Sequence, residues 1–233
     1  MRHGGTPCAY LLEGMNTPTR PDWTLEAAWW QKGYARIAGV DEAGRGAWAG
    51  PVVACAIVLS PGAADRMTWL VQLNDSKRCT PALREWLRTH ILQSADAVGI
   101  GCVGVCEIDR MGIGEASRRA MLLALRSLPL RPDAVLIDYI SLRTLDIPQQ
   151  AVTHGDARSY SIAAASIIAK TTRDAMLRTL DVTYPAYGFA QHKGYGTTAH
   201  RVALARYGPC DLHRRSFRPV HSPRLSDSLE EWP

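Results

Sequence analysis

The stretch IAGVDEAGRGAWAGPVVACAIVL, residues 37–59, determines how the rest of the chain is interpreted. Two apolar, β-branched runs, at 37–40 and 52–59, flank a glycine-rich segment, which predicts two strands joined as a hairpin. The first run leads directly into Asp41 and Glu42. Because a buried carboxylate without a partner is costly, two adjacent carboxylates at the end of a buried strand indicate a cation site.

Asp41 and Glu42 would point to opposite faces of the sheet in a regular strand, because successive strand residues alternate. The segment that follows them, Gly44-Arg45-Gly46, contains two glycines. Glycine accepts backbone conformations that other residues avoid, so this segment can bend the chain. We therefore expect a kink here that turns both carboxylates toward one site.

The remaining pattern predicts one α/β domain. A third strand-like run is followed by alternating helical and strand-like segments, which indicates a mixed sheet with helices on its faces. The predicted strands are 97–105, 134–137 and 150–153, and the predicted helices are 81–92, 114–128 and 161–180. After residue 185 the chain is basic, and we expect a helical or irregular C-terminal segment there.

Two further acids follow predicted strands: Asp138 directly, and Asp156 after a short interval. Neighbouring strands lie about 5 Å apart, so carboxylates at their ends can converge on one point. Such an oxygen ligand set suits a hard divalent cation, and two such ions can promote phosphodiester cleavage. A lone aspartate after a strand is more often a turn former, and Asp156 could cap a turn before the next helix.

Length and composition limit the possible classes of protein. The 233 residues suffice for one domain, which we place at 23–225 between a flexible N-terminal arm, 1–22, and a frayed C-terminus, 226–233. The net charge of +5 weakly favours an anionic partner such as nucleic acid. No uninterrupted apolar run of membrane-spanning length and no signal peptide is present, so we expect a cytoplasmic protein without membrane contact.

The cysteines and histidines do not indicate a metal site of their own. Six cysteines contain no CxxC pair, and three of them, Cys55, Cys102 and Cys106, lie in apolar runs. We interpret these three as reduced core residues. The histidines lack a spacing such as HxxxH, which argues against zinc.

Three segments resemble the bacterial ribonuclease HII family: VDEAGRGAWAGPVV at 40–53, GDARSYSIAAASIIAKTTRD at 155–174 and YGFAQHKGYGT at 187–197. The resemblance covers roughly residues 37–220. It implies a ribonuclease H-like fold and an endonuclease that hydrolyses the RNA strand of RNA–DNA hybrids. It also implies incision of duplex DNA on the 5′ side of embedded ribonucleotides, leaving 3′-hydroxyl and 5′-phosphate ends.

The resemblance assigns roles to single residues. It implies that four acids are catalytic and hold Mg²⁺ or Mn²⁺: Asp41, Glu42, Asp138 and Asp156. Gly44, Arg45 and Gly46 would recognise the ribose 2′-OH through backbone groups, and Tyr195 would pack on the following deoxyribose. These roles are physically reasonable, because only RNA carries a 2′-OH and glycine lets a backbone approach a sugar closely.

Polar residues within the same segments are candidates for phosphate contacts, which position a duplex without reading its sequence. The substrate-binding candidates are Ser76, Lys77, Arg158 and Lys193. Lys170 is a weaker candidate, because it stands four residues before Asp174 on a predicted helix and we expect a surface ion pair there. The expected partners are RNA–DNA hybrid and ribonucleotide-containing duplex DNA, bound by a monomer.

Two positions depart from the family pattern. Tyr139 stands where the family usually has glycine, so its ring could narrow the groove or point inward. His154 replaces a basic residue before the Gly-Asp element and would weaken one positive contact. Two other functions stay open at this point: a metal-dependent DNA nuclease or strand transferase of the same fold, and a non-catalytic hybrid-binding protein.

Overall fold

One mixed five-stranded sheet organises the computed structural model, which describes residues 20–60, 68–73, 76 and 79–221. The strands are β1 (Ile37–Ala43), β2 (Val52–Val58), β3 (Ala97–Val103), β4 (Ala134–Asp138) and β5 (Gln149–Val152). Their order is β3-β2-β1-β4-β5. The antiparallel pairing of β1 with β2 confirms the predicted hairpin, and the parallel pairing of β4 with β1 makes the sheet mixed, as expected.

Eight helices surround this sheet in the described part of the chain. They are α1 (Thr24–Trp30), α2 (Pro81–Ser94), α3 (Val105–Met111), α4 (Ile113–Arg126), α5 (Tyr160–Thr183), α6 (Phe189–His192), α7 (Thr198–Tyr207) and α8 (Arg218–His221). A short 3₁₀ turn, Gly155–Ala157, precedes α5. The sequence pattern did not predict α3, because Val105 had been assigned to the end of the third strand, which stops at Val103.

Helix α5 lies directly against the central strand β1. A Cβ atom added at Gly39 would lie 2.2 Å from the carbonyl carbon of Ser161, so only glycine permits this approach. The alanines 163–165 of α5 are fully buried in the same layer, as expected for a close helix-on-sheet contact. Helix α4 covers the opposite face of the sheet, where Ala38 and Val40 belong to a second core cluster.

Helix α1 is tied to the start of α5 through a buried acid. Glu26 is 1% exposed and accepts hydrogen bonds from the hydroxyls of Ser159 (2.6 Å) and Ser161 (2.7 Å). Ser159 also caps α5 by accepting from the Ile162 amide at 3.1 Å. Ser159 therefore caps this helix, while Asp156 lies in the 3₁₀ turn that precedes it.

The predicted terminal segments fall largely outside the described residues, namely residues 1–19 of the arm and all of 226–233. Asp22, near the end of the predicted arm, forms a bridge with Ser159. Among the described residues, no helix has both the length and the apolar character required to cross a lipid bilayer.

The prediction that Cys102 and Cys106 are core residues is wrong, because both are exposed. β3 is an edge strand in which alternate residues are exposed, and Cys106 lies on α3. Cys55, in the interior strand β2, is buried as expected.

Candidate active site

The Asp41–Glu42 pair lies within strand β1, which continues to Ala43. Asp41 is opposite Cys55 and Glu42 is opposite Ala54 in the β1–β2 register. The bend predicted in the Gly44-Arg45-Gly46 segment therefore does not turn the two acids toward one face of the sheet. The two side chains leave opposite faces of the sheet, and the chain turns only afterwards, at Gly44 with φ +96°.

Both acids nevertheless line one cleft of about 570 Å³ at the end of β1. The strand stops there, so a side chain from either face can reach the same opening. Asp138 at the end of β4 and Asp156 in the 3₁₀ turn line it as well. The four predicted acids thus share one cleft, although they come from positions between 41 and 156 of the sequence.

The cleft contains most of the predicted substrate-binding residues and several others. The predicted ones are Gly44, Arg45, Gly46, Ser76 and Tyr195. The additional ones are Arg84 and Ser166, and the weaker candidate Lys170 lines the cleft as well. Arg158 and Lys193 are not part of the lining, and Lys77 lies outside the described residues.

Asp41 and Glu42 carry strongly perturbed acidities. Burial raises the pKa of Asp41 well above its usual range, and the nearby Glu42 and Asp138 raise it further. Burial also raises the pKa of Glu42, while Arg45, whose Nη1 lies 3.5 Å from Glu42 Oε1, lowers it. The carboxylates therefore repel one another in a poorly solvated cleft, and a cation would relieve that repulsion.

The donor set of this cleft fits a divalent cation. Four carboxylates line it, and hard cations such as Mg²⁺ and Mn²⁺ prefer oxygen ligands. Within the described residues, no group of three or more Asp, Glu, His or Cys side chains already has the arrangement of a formed metal site.

Asp138 is held by the segment that carries Asp156. The Gly155 amide donates to Asp138 Oδ1 at 2.7 Å. A Cβ atom at Gly155 would lie 2.6 Å from Ile162 Cδ1, so glycine permits this close passage. The Gly-Asp pair thus brings Asp156 beside Asp138.

Tyr139 and His154 both adopt left-handed backbone conformations, with φ +61° and +54°. This region favours glycine, which explains physically why a glycine would suit position 139. The Tyr139 side chain is 65% exposed and does not line the cleft. It therefore does not point inward, which was one of the two possibilities considered from sequence.

Ser166 lies on α5 and lines the cleft. The sequence analysis did not predict this role, because Ser166 lies among small residues. Its hydroxyl donates a hydrogen bond to Asp41 that lowers the pKa of that acid, and its oxygen lies 2.9 Å from the Ser76 hydroxyl, from which it can accept. Arg84 donates to the carbonyls of Ser76 (2.8 Å) and Cys79 (2.6 Å) and so supports the loop carrying Ser76.

Lys170 forms the predicted ion pair with Asp174, with Nζ 2.7 Å from Oδ1. The pair is not a surface pair, because the two side chains are only 17% and 9% exposed. Lys170 also lies 5.4 Å from the centre of the Tyr195 ring. Lys170 follows Ser166 by four residues, and this spacing places both side chains on one face of a helix. The sequence alone could therefore have indicated that this face is directed at the cleft.

The backbone of Tyr195 is held by two neutral histidines. The Cys210 amide donates to His213 Nδ1 at 3.0 Å, so His213 carries its proton on Nε2 and donates to His200 Nε2, also at 3.0 Å. His200 then carries its proton on Nδ1 and donates to the Tyr195 carbonyl at 3.0 Å. Burial lowers the pKa of both imidazoles to about 4, consistent with this neutral arrangement.

Comparisons with known proteins agree with this architecture. The sequence profile of the ribonuclease HII family matches residues 38–220. Ribonuclease HII of Chloroflexus aurantiacus is 52% identical over 206 residues, covering 88% of this chain and 97% of the relative. The crystal structure of ribonuclease H2 from Pyrococcus horikoshii OT3 aligns with a TM-score of 0.68 at 27% identity, covering 80% of this chain and 95% of that chain. Bst-RNase HIII in complex with Mn²⁺ shares the fold, with a TM-score of 0.60 at 17% identity over 81% of this chain and 68% of that chain.

The mixed sheet with an acidic cleft at the end of its central strand is the architecture of a ribonuclease H. The profile match spans the three segments on which the resemblance rested, at 40–53, 155–174 and 187–197. The chain belongs to the ribonuclease HII family and is an endonuclease of the ribonuclease H type.

Proposed function

We propose that this ribonuclease H cleaves the RNA strand of RNA–DNA hybrids and incises duplex DNA on the 5′ side of embedded ribonucleotides. The observation that carries the proposal is that the four acids, the Gly44-Arg45-Gly46 segment and Tyr195 all line one cleft. Acids for phosphodiester chemistry therefore lie next to groups suited to recognise an RNA–DNA junction. The products are 3′-hydroxyl and 5′-phosphate ends.

We propose Mg²⁺ or Mn²⁺ as the cofactor, held by Asp41, Glu42, Asp138 and Asp156. When bound, such ions activate a water molecule and stabilise the leaving 3′-oxygen. The chain's own residues prepare the acids: Ser166 hydrogen-bonds Asp41, and the Gly155 amide orients Asp138. Arg45 partly neutralises Glu42, which limits the repulsion among the acids.

We assign recognition of the RNA–DNA junction to the Gly44-Arg45-Gly46 segment and to Tyr195, which line the same cleft as the acids. Gly46 is exposed at the mouth of the cleft, and a Cβ atom there would meet nothing within 4 Å. Space at this position allows the backbone to approach a ribose 2′-OH. Tyr195 presents a ring that packs on a deoxyribose but would be crowded by a 2′-OH, which selects an RNA-to-DNA step.

Phosphate contacts come from the polar residues around the cleft. Ser76, Arg84 and Lys170 line it, and we propose that they position the substrate backbone. Burial lowers the pKa of the Lys193 ammonium, and nearby cations, Lys170 and Arg84 among them, lower it further. Lys193 and Arg158 stay candidates for contacts outside the cleft, and Lys77 stays one from sequence. We propose a monomer that acts in the cytoplasm.

The deciding experiment compares a duplex containing one ribonucleotide with the same duplex made entirely of DNA. Each is incubated with the enzyme in Mg²⁺, in Mn²⁺ and in EDTA, and the cleaved ends are mapped. We expect incision on the 5′ side of the ribonucleotide with either ion and none in EDTA. Equal cutting of the all-DNA duplex would indicate a DNA nuclease, and binding without cutting would indicate a hybrid-binding protein.

The raised pKa values of Asp41 and Glu42 predict the pH dependence of this activity. Below its pKa a carboxyl group is protonated and cannot bind a cation, so kcat/KM falls as the pH drops through these raised values. The fall therefore begins at a higher pH than for ordinary carboxylates. A tenfold higher Mn²⁺ concentration moves it to lower pH, because metal ions and protons compete.

Ser166→Ala should move the same acid limb to higher pH, because the Ser166 hydrogen bond lowers the pKa of Asp41. Ser117→Ala is the matched control, since Ser117 is equally buried but lies on α4. If the pH at which kcat/KM falls changes neither with the Mn²⁺ concentration nor in Ser166→Ala, groups other than Asp41 and Glu42 govern the loss of activity at low pH.

A further inference from the structure

Arg173, on α5, is a fully buried arginine whose hydrogen bonds go to backbone carbonyls. It is 0% exposed. Its Nε donates to Pro51 O, Nη2 to Ala49 O and Nη1 to Lys193 O, each at 2.9 Å. A guanidinium group presents its donors in a rigid planar fork, so these three bonds fix the accepting carbonyls relative to one another.

The accepting carbonyls belong to two segments that are far apart in sequence. Residues 44–51 form the GRG loop, which begins with the predicted 2′-OH recognition element. Residues 192–195 form the Tyr195 turn, which ends with the proposed junction-sensing ring. Arg173 donates to the first segment twice and to the second once, and thus joins them.

Arg173 also contacts the recognition groups themselves. A Cβ atom at Gly44 would lie 2.0 Å from Arg173 Nε, so the start of the GRG loop rests on the guanidinium group. The guanidinium carbon lies 5.4 Å from the centre of the Tyr195 ring. One side chain therefore underlies both groups that we assign to the two sides of an RNA–DNA junction.

The GRG loop is held separately by a second buried arginine. Arg214 donates to Gly50 O at 3.0 Å and to Arg45 O at 2.9 Å. These two bonds stay within the loop, so they do not determine where the Tyr195 turn lies. A direct link also exists, because the Trp48 amide donates to Gly194 O at 2.8 Å.

We propose that Arg173 is a positioning residue that fixes the spacing between the GRG loop and the Tyr195 turn, and thereby determines the preference for RNA–DNA junctions. This inference rests on the proposed function, because it assumes that both segments contact the junction. Discrimination by two groups requires that they stay at a fixed separation, and a misplacement of about 1 Å can cost about 100-fold in rate.

The test uses the full chain and two substrates, a duplex containing one ribonucleotide and a hybrid with a continuous RNA strand. The measured quantity is the ratio of kcat/KM for the first substrate to kcat/KM for the second. Arg173→Lys keeps the charge but loses the planar fork, and we expect the ratio to fall by about tenfold or more. Arg178→Lys is the control, because Arg178 is exposed on the same helix and pairs with Glu85.

The outcomes separate this inference from the proposed function. A wild-type enzyme that does not cut the single-ribonucleotide duplex overturns the proposed function. A wild-type enzyme that cuts it, together with a folded Arg173→Lys variant that keeps the wild-type ratio, overturns only the positioning role. A variant in which both rates fall equally also overturns it, since Arg173 would then support the fold without setting junction preference.

Folding of Arg173→Lys is judged by whether circular dichroism shows a cooperative thermal unfolding transition. If the variant does not fold, a second variant tests the proposal. In Gly194→Ala, the new Cβ would lie 2.4 Å from Ala49 O and would push the Tyr195 turn away from the GRG loop. A selective fall of the same ratio supports the role of the spacing. A ratio equal to that of the wild type overturns it.

Discussion

Asp41→Asn should lower cleavage of a single-ribonucleotide duplex by more than about 100-fold, or about 3 kcal/mol of transition-state stabilisation. Asp41 is 6% exposed, lies on the central strand and interacts electrostatically with both Glu42 and Asp138. An amide in its place keeps the shape but removes one negative charge from the proposed ligand set. Steady-state rates in saturating Mg²⁺ or Mn²⁺ measure the loss.

Binding should survive this substitution, because the residues proposed to contact phosphate are unchanged. Asp211→Asn, which alters an exposed acid in the loop after α7, is the control and should cut like the wild type. Full activity of Asp41→Asn would remove this residue from the ligand set. Loss of hybrid binding along with activity would instead indicate a damaged fold.

The same variant should melt at a higher temperature than the wild type in EDTA at neutral pH. The folded-state pKa of Asp41 is raised, so its ionised form is disfavoured by folding. The resulting loss of stability begins as the pH rises above the ordinary pKa of an aspartate and grows until the pH passes the raised folded-state pKa. The neutral amide avoids this loss, whereas added Mn²⁺ should stabilise the wild type more than the variant. A variant that melts below the wild type in EDTA would contradict the assignment of charge repulsion to this cleft.

Tyr195→Ala should reduce cleavage at a single ribonucleotide by about tenfold to 100-fold, with a smaller effect on a hybrid whose RNA strand is continuous. The ring lines the cleft and is flanked by Lys170 and Arg173, each at 5.4 Å. Removing it deletes the surface proposed to pack on the deoxyribose. The backbone carbonyl that accepts from His200 is unaffected, so the turn should keep its shape.

Tyr195→Phe is the matched control, since it retains the ring and loses only the hydroxyl. We expect it to behave like the wild type on both substrates, because packing on a sugar does not require the hydroxyl. Equal losses on both substrates in Tyr195→Ala would show that the ring does not sense the junction. Kinetics on the two duplexes, measured at several enzyme concentrations, separate these results.

Several parts of the fold and site were accessible from sequence because they depend on local pattern. The β-branched runs that form β1 and β2 are continuous and apolar, as expected for interior strands. The aspartates at positions 138 and 156 were found as candidates because each follows such a run. The family resemblance then supplied their roles, which neither spacing nor composition could do.

Other parts were missed for identifiable reasons. Helix α5 is buried on almost all sides between 161 and 169, so apart from the spacing of Ser166 from Lys170 its sequence gives no polar pattern that would identify Ser166 as a cleft residue. Arg173 is charged yet fully buried, and its partners are backbone carbonyls, which carry no signature in sequence. The bend predicted at Gly44 exists but does not bring Asp41 and Glu42 together, because a strand can end at a cleft and expose both of its faces there.

By itself, the sequence determined the class of fold and the family and identified four acids as candidate site residues, because strand periodicity and short motifs are properties of neighbouring residues. Only the tertiary structure decided which groups meet: that Asp41 and Glu42 share a cleft although they leave opposite faces of the sheet, and that Arg173 joins two segments. Contacts of this kind depend on how the sheet and α5 pack, and many residues far apart in the chain set that packing together.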